Sequence, residues 1–214
     1  MFDIVETKFK NIIRRLKSFF KKEIKSFQLE LFLPLNRRGK RAYAMLEGYC
    51  LRVFSNDDRA EIVELMQLAG FQKWNFDVLQ QALYLCVPNG AFVLVESKTN
   101  KIVAMMMARH VSDAEHQCGG RIDWLAVDPR YRGKSFGYIV ASAATNRLID
   151  INYGNIYVTT DDHRLAAIKT FLKIGFIPNV YRPEMYERWR KLCSNLNVPF
   201  QPEQWDKIKK DLKE

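Results

Sequence analysis

"LAVDPRYRGKSFGYIV", residues 125–140, decides the fold. It leads from a strand-like run, "RIDWLAV" (121–127), into a helical run, "YIVASAATNRLI" (138–149). The turn between them holds Gly133, Ser135 and Gly137, with Arg130, Arg132 and Lys134 as cations. Glycines in a strand-to-helix turn let backbone N–H groups converge without side-chain obstruction. The helix start adds unpaired donors and a partial positive charge. Together they make a cradle for a pyrophosphate. The plainer alternative is a glycine-rich turn with incidental surface cations. The turn is too short for a GxxxxGK[ST] loop and lacks GxGxxG spacing.

Outward from this turn the pattern is regular. "YCLRVF" (49–54) alternates as a strand. "SNDDRAEIVELMQLAG" follows as a helix, with Ser55–Asp58 or Asp58–Glu61 as a capping box. "NFDVLQQALYL" is a second short helix. "GAFVLVES" and "KIVAMMMARHV" read as two strands of a hairpin, "GRIDWLAV" as the fourth strand and "NIYVTT" as the fifth. "DHRLAAIKTFLKIG" is a helix with Leu165, Ile168, Phe171 and Leu172 on its apolar side and Gly175 as its stop. Two C-terminal helices open on Pro-Glu at 183–184 and 202–203.

Two blocks carry a family resemblance. Arg130, Gly133 and Ser135 fall on the [RQ]-x-x-G-x-[GA] pattern of GNAT-type N-acyltransferases, with serine where glycine or alanine is usual. "TTDDHRLAAIKTFLKIGFIPN" (159–179) resembles the later A-[IV]-x-x-[YF]-x-x-x-G-F helix of the same fold, matched by Ala167, Ile168, Phe171, Gly175 and Phe176. The wording is nearest to single-domain members that resemble mycothiol synthase. The resemblance covers about residues 49–182. It implies an α+β fold: a mostly antiparallel mixed sheet flanked by helices, preceded here by an N-terminal amphipathic helix.

The resemblance also implies a mechanism. The fourth and fifth strands splay, and the pantetheine arm of acetyl-CoA lies along Leu125, Ala126 and Val127. The pyrophosphate sits on Arg130, Arg132, Gly133, Lys134, Ser135, Phe136 and Gly137. An amine attacks the thioester directly, while a backbone N–H polarises the carbonyl. Phe171 stands where the family commonly places a proton-donating tyrosine, so Tyr138, Tyr157 and Tyr181 become candidates, Tyr157 first. Asp123 is the expected base. By strand parity it shares a face with Leu125 and Val127, while Trp124 points to the other. An ion pair with Arg121 is its plainer reading. Glu96 and His163 are weaker candidates, and Trp74, Trp124 and Met105–Met107 read as core.

Composition bounds the partners. The chain has 214 residues, 48% hydrophobic and 27% charged, with net charge +10. That balance favours anionic partners, but no nucleic-acid motif is present. Four separated cysteines point to reduced thiols in a cytoplasm. The three histidines lack metal-ligand spacing, so no metal is expected. Residues 1–27 carry Phe2, Val5, Phe9, Ile12, Ile13, Leu16, Phe20, Ile24 and Phe27 at helical spacing, opposite eight cations and three acids. This stripe must cover something: its own domain, a twin subunit in a homo-oligomer, or an anionic membrane surface. The organisation expected is a helical extension over 1–36, a linker over 37–48, an acyltransferase domain over 49–182 and packed helices over 183–214. Function divides between an acetyl-CoA-dependent N-acyltransferase acting on an amine-bearing small molecule or protein, and a non-catalytic module of the same fold.

Overall fold

The computed structural model describes residues 27–210; the amphipathic helix expected over the first part of the chain lies outside the described residues. In chain order the main elements are β1 (Leu29–Phe32), β2 (Tyr49–Val53), α1 (Arg59–Leu68), α2 (Phe76–Tyr84), β3 (Cys86–Glu96), β4 (Lys101–His110) and β5 (Gly119–Val127). Then follow α3 (Phe136–Asp150), β6 (Asn155–Thr160), α4 (Leu165–Ile174), β7 (Ile177–Pro178), α5 (Pro183–Leu196) and α6 (Pro202–Lys210). Among the described residues no helix is long and apolar enough to cross a membrane.

The strands form one seven-stranded sheet in the order β2-β3-β4-β5-β6-β1-β7. Every neighbouring pair is antiparallel except β5 and β6. One face packs on α3 to α6 through residues such as Phe136, Val140, Ile168, Phe171 and Trp189. The other face packs on α1 and α2, where Ile62, Met66 and Leu79 meet Val93, Met105 and Met107. The capping box expected at Ser55 and Asp58 forms and starts the helical turn leading into α1.

Three details correct the sequence reading. The helical extension cannot reach residue 36, because Leu29–Phe32 is a strand. Leu29, Leu31 and Leu33 alternate into the core while Glu30 takes the other face, a strand's period of two. Residues 37–48 are no free hinge. Arg38 donates to the carbonyls of Tyr153 (2.6 Å) and Gly154 (2.7 Å) beyond α3. Arg41 caps the last carbonyl of α4, Ile174, at 2.6 Å, and its backbone exchanges hydrogen bonds with the Asn146 amide. Carbonyls at helix ends have no intrahelical partner and attract cations, which explains this strap.

The third correction is a bulge in β5. Trp124 and Leu125 stand opposite Met106 alone, and Trp124 takes φ +64°. The extra residue shifts the alternation. Ile122, Leu125 and Val127 pack with the α3 face, whereas Trp124 and Ala126 pack with the α1–α2 face. Asp123, opposite Met107 in the ladder, therefore sits on Trp124's side, away from Leu125 and Val127.

The β5–β6 pair positions the site. It holds for only three steps, Gly119–Asn155, Gly120–Ile156 and Arg121–Tyr157. A Cβ on Gly119 would lie 2.5 Å from the Val111 carbonyl oxygen, and one on Gly120 would lie 2.7 Å from the Tyr153 ring. The junction closes this tightly because neither residue has a side chain. Beyond it the strands part.

Candidate active site

The turn after β5 is built from its acid. Asp128, 1% exposed, accepts from the Arg130 backbone N–H (3.0 Å) and from its guanidinium (2.6 and 3.1 Å). The Arg130 hydrogen bonds hold the Asp128 carboxyl down at about 2, against the cost of its burial. Arg130 thus spends its guanidinium on folding the turn. Arg132 and Lys134 remain exposed. Lys134 Nζ stands 5.3 Å above the Tyr131 ring and 5.9 Å above the Tyr49 ring. The Tyr131 hydroxyl donates to Glu96 at 3.1 Å, which fixes one wall of that box.

Gly133 (φ +83°) and Ser135 (φ +61°) both take left-handed backbone. Ser135 is the residue before α3 and turns the chain into the helix. A Cβ on Gly133 would meet nothing within 4 Å. Among the described residues, the backbone N–H groups of Gly133, Lys134, Ser135, Phe136 and Gly137 have no protein acceptor. Alternating left-handed residues at a helix start gather such donors into an anion-binding concavity. The Phe136 side chain is buried against Tyr49, ring centroids 4.5 Å apart, and anchors the turn.

The gap between the parted strands opens next to this cradle. Its wall from β5 is Arg121–Leu125, its wall from β6 is Val158–Thr160, and α4 adds Ala167 and Phe171. The enclosed space is about 150 Å³. Along Ile122–Val127, β5 has no pairing with β6, which leaves one backbone edge unpaired.

The structure gathers some expected residues and separates others. Leu125, Phe171 and Asp123 line the cleft, and Ala126 and Val127 continue β5 toward the cradle. Asp123 Oδ2 accepts from both Arg109 (2.6 Å) and Arg121 (2.7 Å), so the ion-pair reading applies, with two partners. Tyr157 is not in the cleft. Its ring stacks on His116 at 3.7 Å, and its hydroxyl donates to the Val111 carbonyl at 3.2 Å. Tyr138 and Tyr181 likewise donate to carbonyls, of Ala42 and Gln28. Glu96 belongs to the Tyr131 and Thr99 contacts, and His163 is an exposed turn residue. Phe71 and Arg164, which no spacing signalled, line the cleft together, the guanidinium 4.2 Å over the ring. The Trp124 edge packs on Phe71 and Trp74.

A splayed parallel pair in a seven-stranded mixed sheet flanked by helices is the α+β layout that the sequence resemblance implied. The model of the Acetyltransferase (GNAT) family matches residues 59–176, more than half of the chain, and the chain belongs to that family. A search of the curated proteins gives no match. Among solved structures, a GCN5-related N-acetyltransferase from Sphaerobacter thermophilus is similar at TM-score 0.58 and 16% identity, over 72% of this chain and 49% of that one. The chain therefore spans about half the length of that protein. The ribosomal-protein-S18-alanine N-acetyltransferase from Escherichia coli is similar at TM-score 0.51 and 17% identity, over 60% and 77% of the two chains. A chain of the NatC complex, solved bound to Gag peptide and CoA, is similar at TM-score 0.54 and 18% identity, over 60% and 84%.

Proposed function

We propose that this chain is an acetyl-CoA-dependent N-acyltransferase that moves an acetyl group to an amine in a ternary complex. One observation carries the reading: five backbone donors without protein acceptors among the described residues lie beside the unpaired edge of β5, where a Cβ on Gly137 would stand 3.8 Å from Leu125. These groups fit the cofactor. The amides of 133–137, with Arg132 and Lys134, would hold the diphosphate, and the edge of Leu125, Ala126 and Val127 would pair with the pantetheine arm. When bound, acetyl-CoA would supply an acyl group activated as a thioester: an N–C bond replaces the C–S bond, coenzyme A leaves as the thiolate, and the proton shed by nitrogen passes by way of Asp123 to water.

The chain's own residues orient the other reactant. The two arginines both bind Oδ2 of Asp123, which leaves Oδ1 to accept a hydrogen bond from the incoming amine. Phe171, 2% exposed, keeps water from the sulfur end of the cleft and donates no proton. A thiol with an ordinary value near 8.5 leaves as thiolate without an acid. The same Phe171, with Asp123 clamped, favours a second reading: a module that binds coenzyme A and transfers nothing.

Calorimetric titration with acetyl-CoA tests both. Binding is expected in the wild type, weakened at least tenfold in Gly133→Trp, which adds bulk to the turn and strains its left-handed backbone, with the variant's fold checked by its melting temperature. Absence of binding by the folded wild type refutes the proposal. Binding without transfer to any amine of a broad panel selects the module.

A further inference from the structure

Among the described residues, α1 and α2 cover the β2–β4 part of their sheet face and the Trp124–Ala126 end of β5. Over β6 and β1 the same face presents the polar side chains of Glu30 and Thr159, a cross-strand pair. A cavity of about 790 Å³ lies on this part of the face. It adjoins the cleft. Gln28, which lines the cleft, precedes β1 and is two residues from Glu30, which lines the cavity, about 7 Å along an extended chain. Glu30 also stands directly opposite Thr159, a cleft residue.

At the cavity wall, ligand atoms of Glu30, Glu115 and His116 lie within 4.8 Å of one another. Glu30 is buried, 7% exposed, and is held by His116 Nε2 at 3.0 Å and by the Asn179 amide. The Asn155 amide holds the other ring nitrogen at 3.0 Å. The Glu115 carboxylate has no side-chain partner among the described residues. Two carboxylates thus face one imidazole, a surplus of negative charge. The arginines on the lining face elsewhere: Arg38 donates to two carbonyls, and Arg182 lies 3.7 Å over the Phe27 ring.

We propose that this cluster binds a second cationic group of the acceptor, so that the preferred substrates are diamines or larger amines with one nitrogen in the cleft and another at Glu30 and Glu115. The inference rests on the acetyl-transfer reading above. A bare metal ion suits the same three ligand atoms, but the space is of the size that holds an organic ligand, and its wall neighbours that of the cleft through the Glu30–Thr159 pair.

The test is calorimetry on the full chain with cadaverine, pentylamine and Zn²⁺ separately, followed by acetyl-transfer kinetics with the two amines. Cadaverine is expected to bind about tenfold more tightly than pentylamine and to show a KM lower by the same factor. Glu115→Gln, an exposed position checked by its melting temperature, is expected to abolish the difference. Equal binding and equal KM, with transfer proceeding, overturn this inference and leave the transferase reading intact. Tight Zn²⁺ binding lost in Glu115→Gln, without amine preference, overturns it in favour of a metal site. A cadaverine preference lost in Glu115→Gln, without transfer to any amine, supports the cation site and removes the transferase.

Discussion

Asp128→Asn isolates the charge that folds the cradle. The amide oxygen can still accept from the Arg130 backbone N–H, so the substitution removes charge and little shape. Lowering a buried carboxyl from near 3.9 to about 2 corresponds to roughly 2.5 kcal/mol of native-state stability. Arg130, the main partner, has a side chain 64% exposed, and water screens the pair, so about 1–1.5 kcal/mol is the expected loss. The sign follows from the direction. A depressed carboxyl contributes stability that is present above its unfolded value and is lost as pH falls from about 4 toward 2. Urea unfolding of both proteins should show the gap at about pH 6 and its progressive narrowing as the pH falls from about 4 through 2. A variant equal to the wild type at pH 6, or a gap undiminished in acid, would refute the assignment. The loosened turn should also weaken acetyl-CoA binding in the same variant.

Three other perturbations have definite outcomes. Gly119→Ala places a methyl 2.5 Å from a backbone oxygen and should cost about 2–3 kcal/mol in denaturant unfolding. Arg41→Ala frees the strap from α4; a loss of about 1–3 kcal/mol and faster tryptic cleavage within residues 37–48 are expected. For His116, burial lowers the imidazole, but the hydrogen bond and charge of Glu30 outweigh it and raise the group above 6.5. Its contribution is complete below that value and is lost as pH rises through the raised one. The melting-temperature advantage of wild type over His116→Gln should shrink between about pH 6 and pH 9.

The cradle was legible because its signal is local. Two glycines, a small residue and cations between a strand pattern and a helix pattern sit within seven positions. The capping box at Ser55 was legible for the same reason. What stayed hidden depends on distant partners. Leu29–Phe32 follows a helix-like apolar stripe, and its strand character comes from β6 and β7, more than a hundred residues on. Asp123 was placed on the wrong face because parity assumes a regular strand, and a tryptophan at φ +64° has no compositional warning. Residues 37–48 read as a linker, since nothing in them reveals the distant carbonyls that Arg38 and Arg41 bind. Glu30 and His116, 86 positions apart, form a pair only once β1 is inserted.

That insertion bears on how the protein is made. Ile177 leaves the ribosome 145 residues after Phe32, a delay of roughly 7–30 s at ordinary synthesis rates. For most of that interval, until β6 emerges, the leucine-rich segment has neither neighbour, while β2 to β5 can already assemble. A chain stalled before residue 155 would present an open β5 margin, the geometry that invites strand addition from another molecule. Completion of the sheet is thus a late, long-range event that joins residues 29–32 to residues 157–178.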